Sequence, residues 1–290
     1  MSARSLIEAR LTATTKTHEG RGTEQCPLAL PHRVVLPSPV VARIRIGIDV
    51  GGSGVKGALV DTDAGKVISE RVRFDTPRPA TPDAIASAVR QVVETLGGEG
   101  PIGIGFPAVV KEGLVSSASN IDPSFIGVDA VTLFSGVTGR EVTVINDADA
   151  AGLGESRFGE ARNAAGTVIM LTFGTGIGSA MLIDGKLVPN VELGQIELGG
   201  VRPAEIRFSA KAMKLENLEW SEWGARANEF VSHVNKVFSP NLIVVGGGVV
   251  TKWESFASAF DPLVPVVPAA LGKNAGIIGA ATLVAGLSSD

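Results

Sequence analysis

From Ile44 onward the chain alternates short apolar runs with polar or glycine-rich breaks. Ile44–Val50 reads as a buried strand, Val55–Asp61 as its hairpin partner and Lys66–Phe74 as a third strand. Pro77, Pro79 and Pro82 mark a loop, and Thr81 or Asp83 is placed to cap a helix that runs to about Leu96 and stops at Gly97-Gly98. Ile102–Phe106 and Val142–Ile145 are short buried strands. Asn146-Asp147 follows the second of them and opens an Ala-rich helix. Gly166–Phe173 and Ile177–Ile183 make a second hairpin. Glu222–Phe238 has helical spacing, Leu242–Val245 is a buried strand running into Gly246-Gly247-Gly248, and Asn274–Leu287 is a final helix, apolar on most sides. This alternation predicts an α/β fold.

The two hairpins echo each other. Asp49 and Thr172, Gly51 and Gly174, and Asp61 and Asp184 are each separated by 123 positions. In both copies a buried strand passes through glycine into a second strand, and each continues to a Gly-Lys pair, Gly65-Lys66 and Gly185-Lys186. Chance similarity of two hairpins is the competing explanation, and the shared spacing weakens it. Two similar α/β domains facing a cleft are therefore expected: a smaller one over 43–147 joined by the C-terminal helix at about 274–290, and a larger one over 148–273.

Composition narrows the function classes. The 290 residues are 44% hydrophobic and 19% charged, which excludes disorder for most of the chain. A single Cys excludes an internal disulfide and any Cys-rich zinc site. A net charge of −4 supplies no global field to hold nucleic acid. The uncharged run Asn163–Ile183 is long enough to span a bilayer, but its glycines and threonines fit a strand, a turn and a strand better, so no membrane partner is expected. Residues 1–42 mix Arg, Thr and Pro without a sustained period. They are expected to be a disordered extension or to follow a misplaced start; Glu8, Glu19 and Glu24 oppose an organelle transit peptide. Cys26 lies there without an evident role, and the three His are isolated.

The candidate chemistry lies at strand ends. In Asp49-Val50-Gly51-Gly52-Ser53-Gly54-Val55-Lys56-Gly57, glycine allows the backbone to approach an anion and donate N–H groups to phosphate oxygens. Ser53 adds a hydroxyl, Lys56 a charge, and Asp49 a carboxylate suited to hydrated Mg²⁺. The Walker A spacing is absent. The second turn, Thr172-Phe173-Gly174-Thr175-Gly176-Ile177-Gly178-Ser179, joins strand to strand, which disfavours a Rossmann dinucleotide site. Two matched turns suggest a phosphate gripped from both sides. Asp147, at a strand end, is placed to accept a hydroxyl proton or to cap its helix; Asp149 is expected to cap or to face solvent. Asn120, Glu192, Gln195 and Glu205 offer groups suited to sugar hydroxyls. Arg202, Arg207, Lys211 and Lys214 read as a solvated helix face or as a guide for a polyanionic phosphate chain.

In this order, these motifs resemble the ROK family of sugar kinases, within the actin-like ATPase superfamily, and most closely its polyphosphate-using glucokinase and glucomannokinase branch. Asn146-Asp147-Ala148-Asp149-Ala150-Ala151-Gly152, Val188-Pro189-Asn190, Val245-Gly246-Gly247-Gly248 and Ala275-Gly276-Ile277-Ile278-Gly279-Ala280-Ala281 add to the two turns, and the match runs from about Ile44 to Leu287. The resemblance implies an actin-like (ribonuclease H-like) fold. It implies a cytoplasmic, homodimeric phosphotransferase that closes over glucose or a related hexose, with Asp147 as catalytic base. It places Asn146, Glu192, Glu205 and Asn120 on the sugar, with Gln195 at the adjoining family position. It places Asp49, Gly51, Gly52, Ser53, Gly54, Lys56, Thr172, Gly174, Thr175 and Gly176 on a polyphosphate or ATP donor with its Mg²⁺, and Gly246 and Gly247 by the nucleoside when ATP is used.

Two departures stand out. The zinc motif of most family members is missing, as in the polyphosphate-using branch, so no zinc is expected. Gln195 stands where the family has His; Gln exchanges hydrogen bonds but carries no charge, which bears on sugar affinity and epimer choice. The competing readings are an ATP-dependent hexokinase of the same family, a non-catalytic sugar-binding homologue and an actin-like structural ATPase.

Overall fold

Residues 43–261, 263 and 265–287 are described by a computed structural model, and they fall within one compact unit, Val41–Asp290. The expectations for residues 1–42, Cys26 included, lie outside the described residues.

β1 (Ile44–Gly51) and β2 (Gly54–Asp61) form the first antiparallel hairpin, with Asp49 opposite Lys56. The expected single third strand is instead two: β3 (Lys66–Val67) and β4 (Val72–Phe74). Val67 pairs with Val60 and Val72 with Gly57, so residues 68–71 stand opposite only Ala58 and Leu59. The excess chain bulges, and the Leu59 N–H donates to Ser69 Oγ at 3.0 Å. Helix α1 (Pro82–Leu96) starts after Thr81, whose side chain makes no capping bond; Asp83 sits in the first turn rather than at the cap. Its Ile85, Val89 and Val92 are buried, at the four- and three-residue spacing that gives a helix one apolar stripe.

After β5 (Ile102–Phe106) come the small hairpin β6 (Val110–Lys111) and β7 (Leu114–Val115), then α2 (Ala130–Thr138) and β8 (Val142–Asn146). The sheet order is β3-β2-β1-β5-β8, with β4 also on β2; β1, β5 and β8 run parallel.

Helix α3 (Asp147–Phe158) leads to the second half: β9 (Thr167–Phe173), β10 (Ile177–Ile183), β11 (Lys186–Val188), α4 (Glu205–Phe208), α5 (Ala210–Leu215), α6 (Trp220–Phe238), β12 (Leu242–Gly247), β13 (Val266–Pro268) and α7 (Ala275–Leu287). The second sheet has the order β11-β10-β9-β12-β13. It repeats the first position by position: a central antiparallel hairpin, a third antiparallel strand on one side and two parallel strands on the other. The 123-residue echo is thus the central hairpin of each sheet.

Each sheet buries one face under its own helices. Phe106, Phe125 and Phe134 fill the first core, while Phe173, Trp223 and Phe230 fill the second. The two linking helices cross over. α3 leaves the first sheet and packs on β9 and β10; α7 leaves the second and packs on β1 and β5; the two helices pack on each other. Close approach requires Gly279, where a Cβ would overlap the Ala150 carbonyl oxygen. The strand ends and both hairpin turns consequently meet at one cleft.

Candidate active site

A cavity of about 430 Å³ lies in this cleft. Asp49, Gly51, Gly52, Ser53 and Lys56 line it from the first hairpin; Thr172, Gly174, Thr175 and Gly176 line it from the second. Asn120, Asn146, Asp147, Glu192 and Gly247 complete the set of sequence-selected residues at its wall. Both turns and the candidate base therefore share one space, at the C-terminal ends of parallel strands where open α/β sheets bind ligands.

Asn146 organises the candidate base, Asp147. It caps α3: its Oδ1 accepts from the amides of Ala148 (2.9 Å) and Asp149 (3.0 Å). Its Nδ2 donates to the Ala108 carbonyl (3.2 Å) and to Glu192 Oε1 (3.4 Å). The capping role is thus taken by Asn146, which leaves Asp147 at the first helical position, half-buried on the cavity wall. Burial, and then the negative charge of Asp49, push the Asp147 carboxyl up to about 7; the Ala148 N–H opposes this, and Glu192 and Asp149 add smaller upward effects.

Asp149 contradicts the expectation of a cap or solvent-facing residue. It is fully buried, its Oδ2 accepts from the Asn190 N–H at 2.7 Å, and its Oδ1 has no partner. Burial raises its carboxyl to about 7. Asn190 in turn clasps Val110 through both main-chain groups at 3.0 Å, so the segment carrying Glu192 is tied to α3 and to β6. Ser179 holds the same segment: its hydroxyl donates to the Val191 carbonyl and accepts from the Leu193 amide. Burial, and secondarily Glu205, raise the Glu192 carboxyl.

Gln195 and Glu205 do not line the cavity; they form its backing. Gln195 Nε2 donates to Glu205 Oε1 at 3.0 Å, and Glu205 Oε2 accepts from the Ile177 N–H at 3.0 Å. A side chain at position 176 would overlap that carboxylate, so glycine there is a spatial requirement. Two glycines expected at the phosphate donor, Gly54 and Gly246, also fall outside the wall. A Cβ at Gly54 would press on the Arg73 guanidinium, and one at Gly246 on Met170.

Pro107, Ala108, Ser117 and Ser119 line the cavity without having been singled out in the sequence. Pro107-Ala108 follows β5 just as Asp147-Ala148 follows β8, and that strand-end position was the available signal.

Asp49 meets Lys56 Nζ at 3.2 Å, and both are partly buried. Among the described residues no group of three or more His, Cys, Asp and Glu could hold a metal. A single carboxylate fits Mg²⁺ that arrives on phosphate oxygens and keeps its waters; it would not fit an all-protein cage.

Repeated sheets, crossed helices and paired glycine turns above a strand-end aspartate define the actin-like ATPase fold. The ROK family model matches residues 45–199, and the chain belongs to the ROK family. It is 42% identical over 252 residues to the polyphosphate glucokinase of Mycobacterium tuberculosis (strain CDC 1551 / Oshkosh), covering 87% of this chain and 95% of that one. Among solved structures, the inorganic polyphosphate/ATP-glucomannokinase of Arthrobacter sp. strain KM matches with a TM-score of 0.82 and 44% identity, over 84% of this chain and 99% of that chain. A ROK family glucokinase from Streptomyces griseus, solved with glucose and AMPPNP, matches with a TM-score of 0.71 and 26% identity over 83% and 99%.

Proposed function

We propose that the protein is a polyphosphate-dependent glucokinase that transfers the terminal phosphoryl group of inorganic polyphosphate, and also of ATP, to the 6-hydroxyl of glucose. The observation that carries this reading is the convergence of both glycine turns and a half-buried Asp147, its carboxyl raised to about 7, on one cavity. The names of the mycobacterial and Arthrobacter relatives support polyphosphate as donor.

Asn120, Asn146 and Glu192 hydrogen-bond the sugar hydroxyls; Glu205 and Gln195 brace the second turn beside them. Asp147 accepts the proton of the 6-hydroxyl. The freed oxygen attacks the terminal phosphorus, the bond to the bridging oxygen breaks, and its electron pair leaves with a chain one unit shorter. N–H groups of the two turns hold the phosphate oxygens, because phosphoryl transfer needs chiefly positioning and charge stabilisation. Asp49 would hold Mg²⁺ that arrives with the donor, and the ion would supply charge neutralisation when bound. The 43–147 and 274–290 segments act as one lobe and 148–273 as the other, and their closure excludes competing water. The enzyme works as a cytoplasmic homodimer.

Initial rates with polyphosphate and with ATP, each with Mg²⁺ and several hexoses, test this. Glucose 6-phosphate from glucose and polyphosphate is expected. No product with either donor would overturn the reading, and product from ATP alone would favour an ATP-dependent hexokinase.

A further inference from the structure

A second cavity of about 450 Å³ adjoins the first and shares Gly51, Gly52, Pro107, Ser119, Asn120 and Thr175 with it. Two exposed cations, Arg78 and Lys211, also line it. Neither has an acidic partner among the described residues. The carboxylate among its lining residues, Asp122, is turned into its own loop, where Oδ1 accepts from the Ser124 amide (2.9 Å) and hydroxyl (2.6 Å).

Arg78 lies in the loop between β4 and α1 and Lys211 in α5, and each is fastened to one of the turns. Thr76, two residues before Arg78, donates its hydroxyl to the Gly51 carbonyl. Pro77 and Pro79 flank Arg78 and limit the backbone freedom it would otherwise lose on binding. The Lys211 amide donates to the Gly174 carbonyl at 3.0 Å. Of the four basic residues Arg202, Arg207, Lys211 and Lys214, only Lys211 faces this space. Arg207 instead meets Glu229 at 3.5 Å.

The first cavity cannot by itself favour a long polyanion. Lys56 there is already paired with Asp49, and Asp147 and Glu192 add acidic groups. We propose that the second cavity is a subsite for the distal phosphates of a condensed-phosphate chain, with Arg78 and Lys211 straddling the chain where it leaves the two turns. This rests on the polyphosphate reading above and adds where the untransferred part of the donor lies. Unpaired, exposed cations leave a ligand free to slide inward by one unit after a transfer, whereas a tight bidentate clasp would hold it in place.

The test is the double variant Arg78→Gln/Lys211→Gln. Both side chains are exposed, so the fold should survive, and an unchanged melting temperature checks that. The KM for long-chain polyphosphate should rise about tenfold or more, with a shallower dependence on salt. The KM for glucose, and the kinetics with tripolyphosphate and with ATP, should stay within about twofold. An unchanged long-chain KM would overturn the subsite, as would an equal rise for tripolyphosphate. Binding of fluorescently labelled long-chain polyphosphate separates this from the parent reading. A wild type that binds the chain but never transfers from it, with binding lost in the double variant, keeps the subsite and removes the kinase reading. A wild type that transfers but binds no more tightly than the variant does the reverse.

Discussion

Asp147 stands at the first position of α3, where a helix dipole favours the charged form of a carboxyl. Burial and the neighbouring acids outweigh that effect, and the group sits near 7. A base poised there is charged in about half of the molecules at neutral pH, and it is a stronger proton acceptor than an ordinary carboxylate. The sign of the pH dependence follows: the charged form is active, so kcat/KM should be flat above about pH 7 and fall about tenfold per pH unit below it. Asp49→Asn removes the largest charge acting on Asp147 and should move the midpoint of the profile down, whatever it does to the plateau. A midpoint that stays near 7 in the variant would show that Asp49 does not set it. At this scale the sequence was only partly legible. Asp147 followed from its place after an apolar run. The burial of Asp149 did not, because its partner, Asn190, lies 41 positions away.

Helices α3 and α7 hold the sheets in their mutual arrangement, and their contact leaves no room for a side chain at Gly279. Alanine normally favours a helix over glycine by roughly 0.5–1 kcal/mol. Gly136, inside α2 with nothing near its would-be Cβ, should show that gain. Gly279→Ala should instead cost about 1–3 kcal/mol by overpacking. Urea denaturation of the two variants measures both; a stabilised Gly279→Ala would mean the helices pack less closely. Strand and helix identities were mostly readable from apolar runs and glycine stops. The break between β3 and β4 was not. Residues 66–74 lose their alternation at Ser69-Glu70-Arg71, a lapse too short to end a strand by itself, and the interruption arises from register against β2. α2 carried a usable signal, Asp129 as its cap and Gly139 as its left-handed stop, within a short and nearly uniformly apolar run.

The 123-residue echo made the duplicated architecture visible at the scale of the whole molecule, because a hairpin is local and its turn residues are constrained by backbone geometry. The exchange of α3 and α7 between sheets was harder to read. α3 is rich in small residues and α7 is apolar on most sides, which reports burial but not against which sheet. That exchange is what brings Asp147, at the start of one crossing helix, beneath the turns of both sheets. The most direct test of this arrangement is Asp147→Asn, followed by glucose binding calorimetry and by turnover with polyphosphate on the same preparation. Turnover should fall by about 10²–10⁴-fold while glucose affinity changes little, since the amide keeps the shape and loses the base. Turnover within about tenfold of wild type would place the base elsewhere and contradict the proposed transfer.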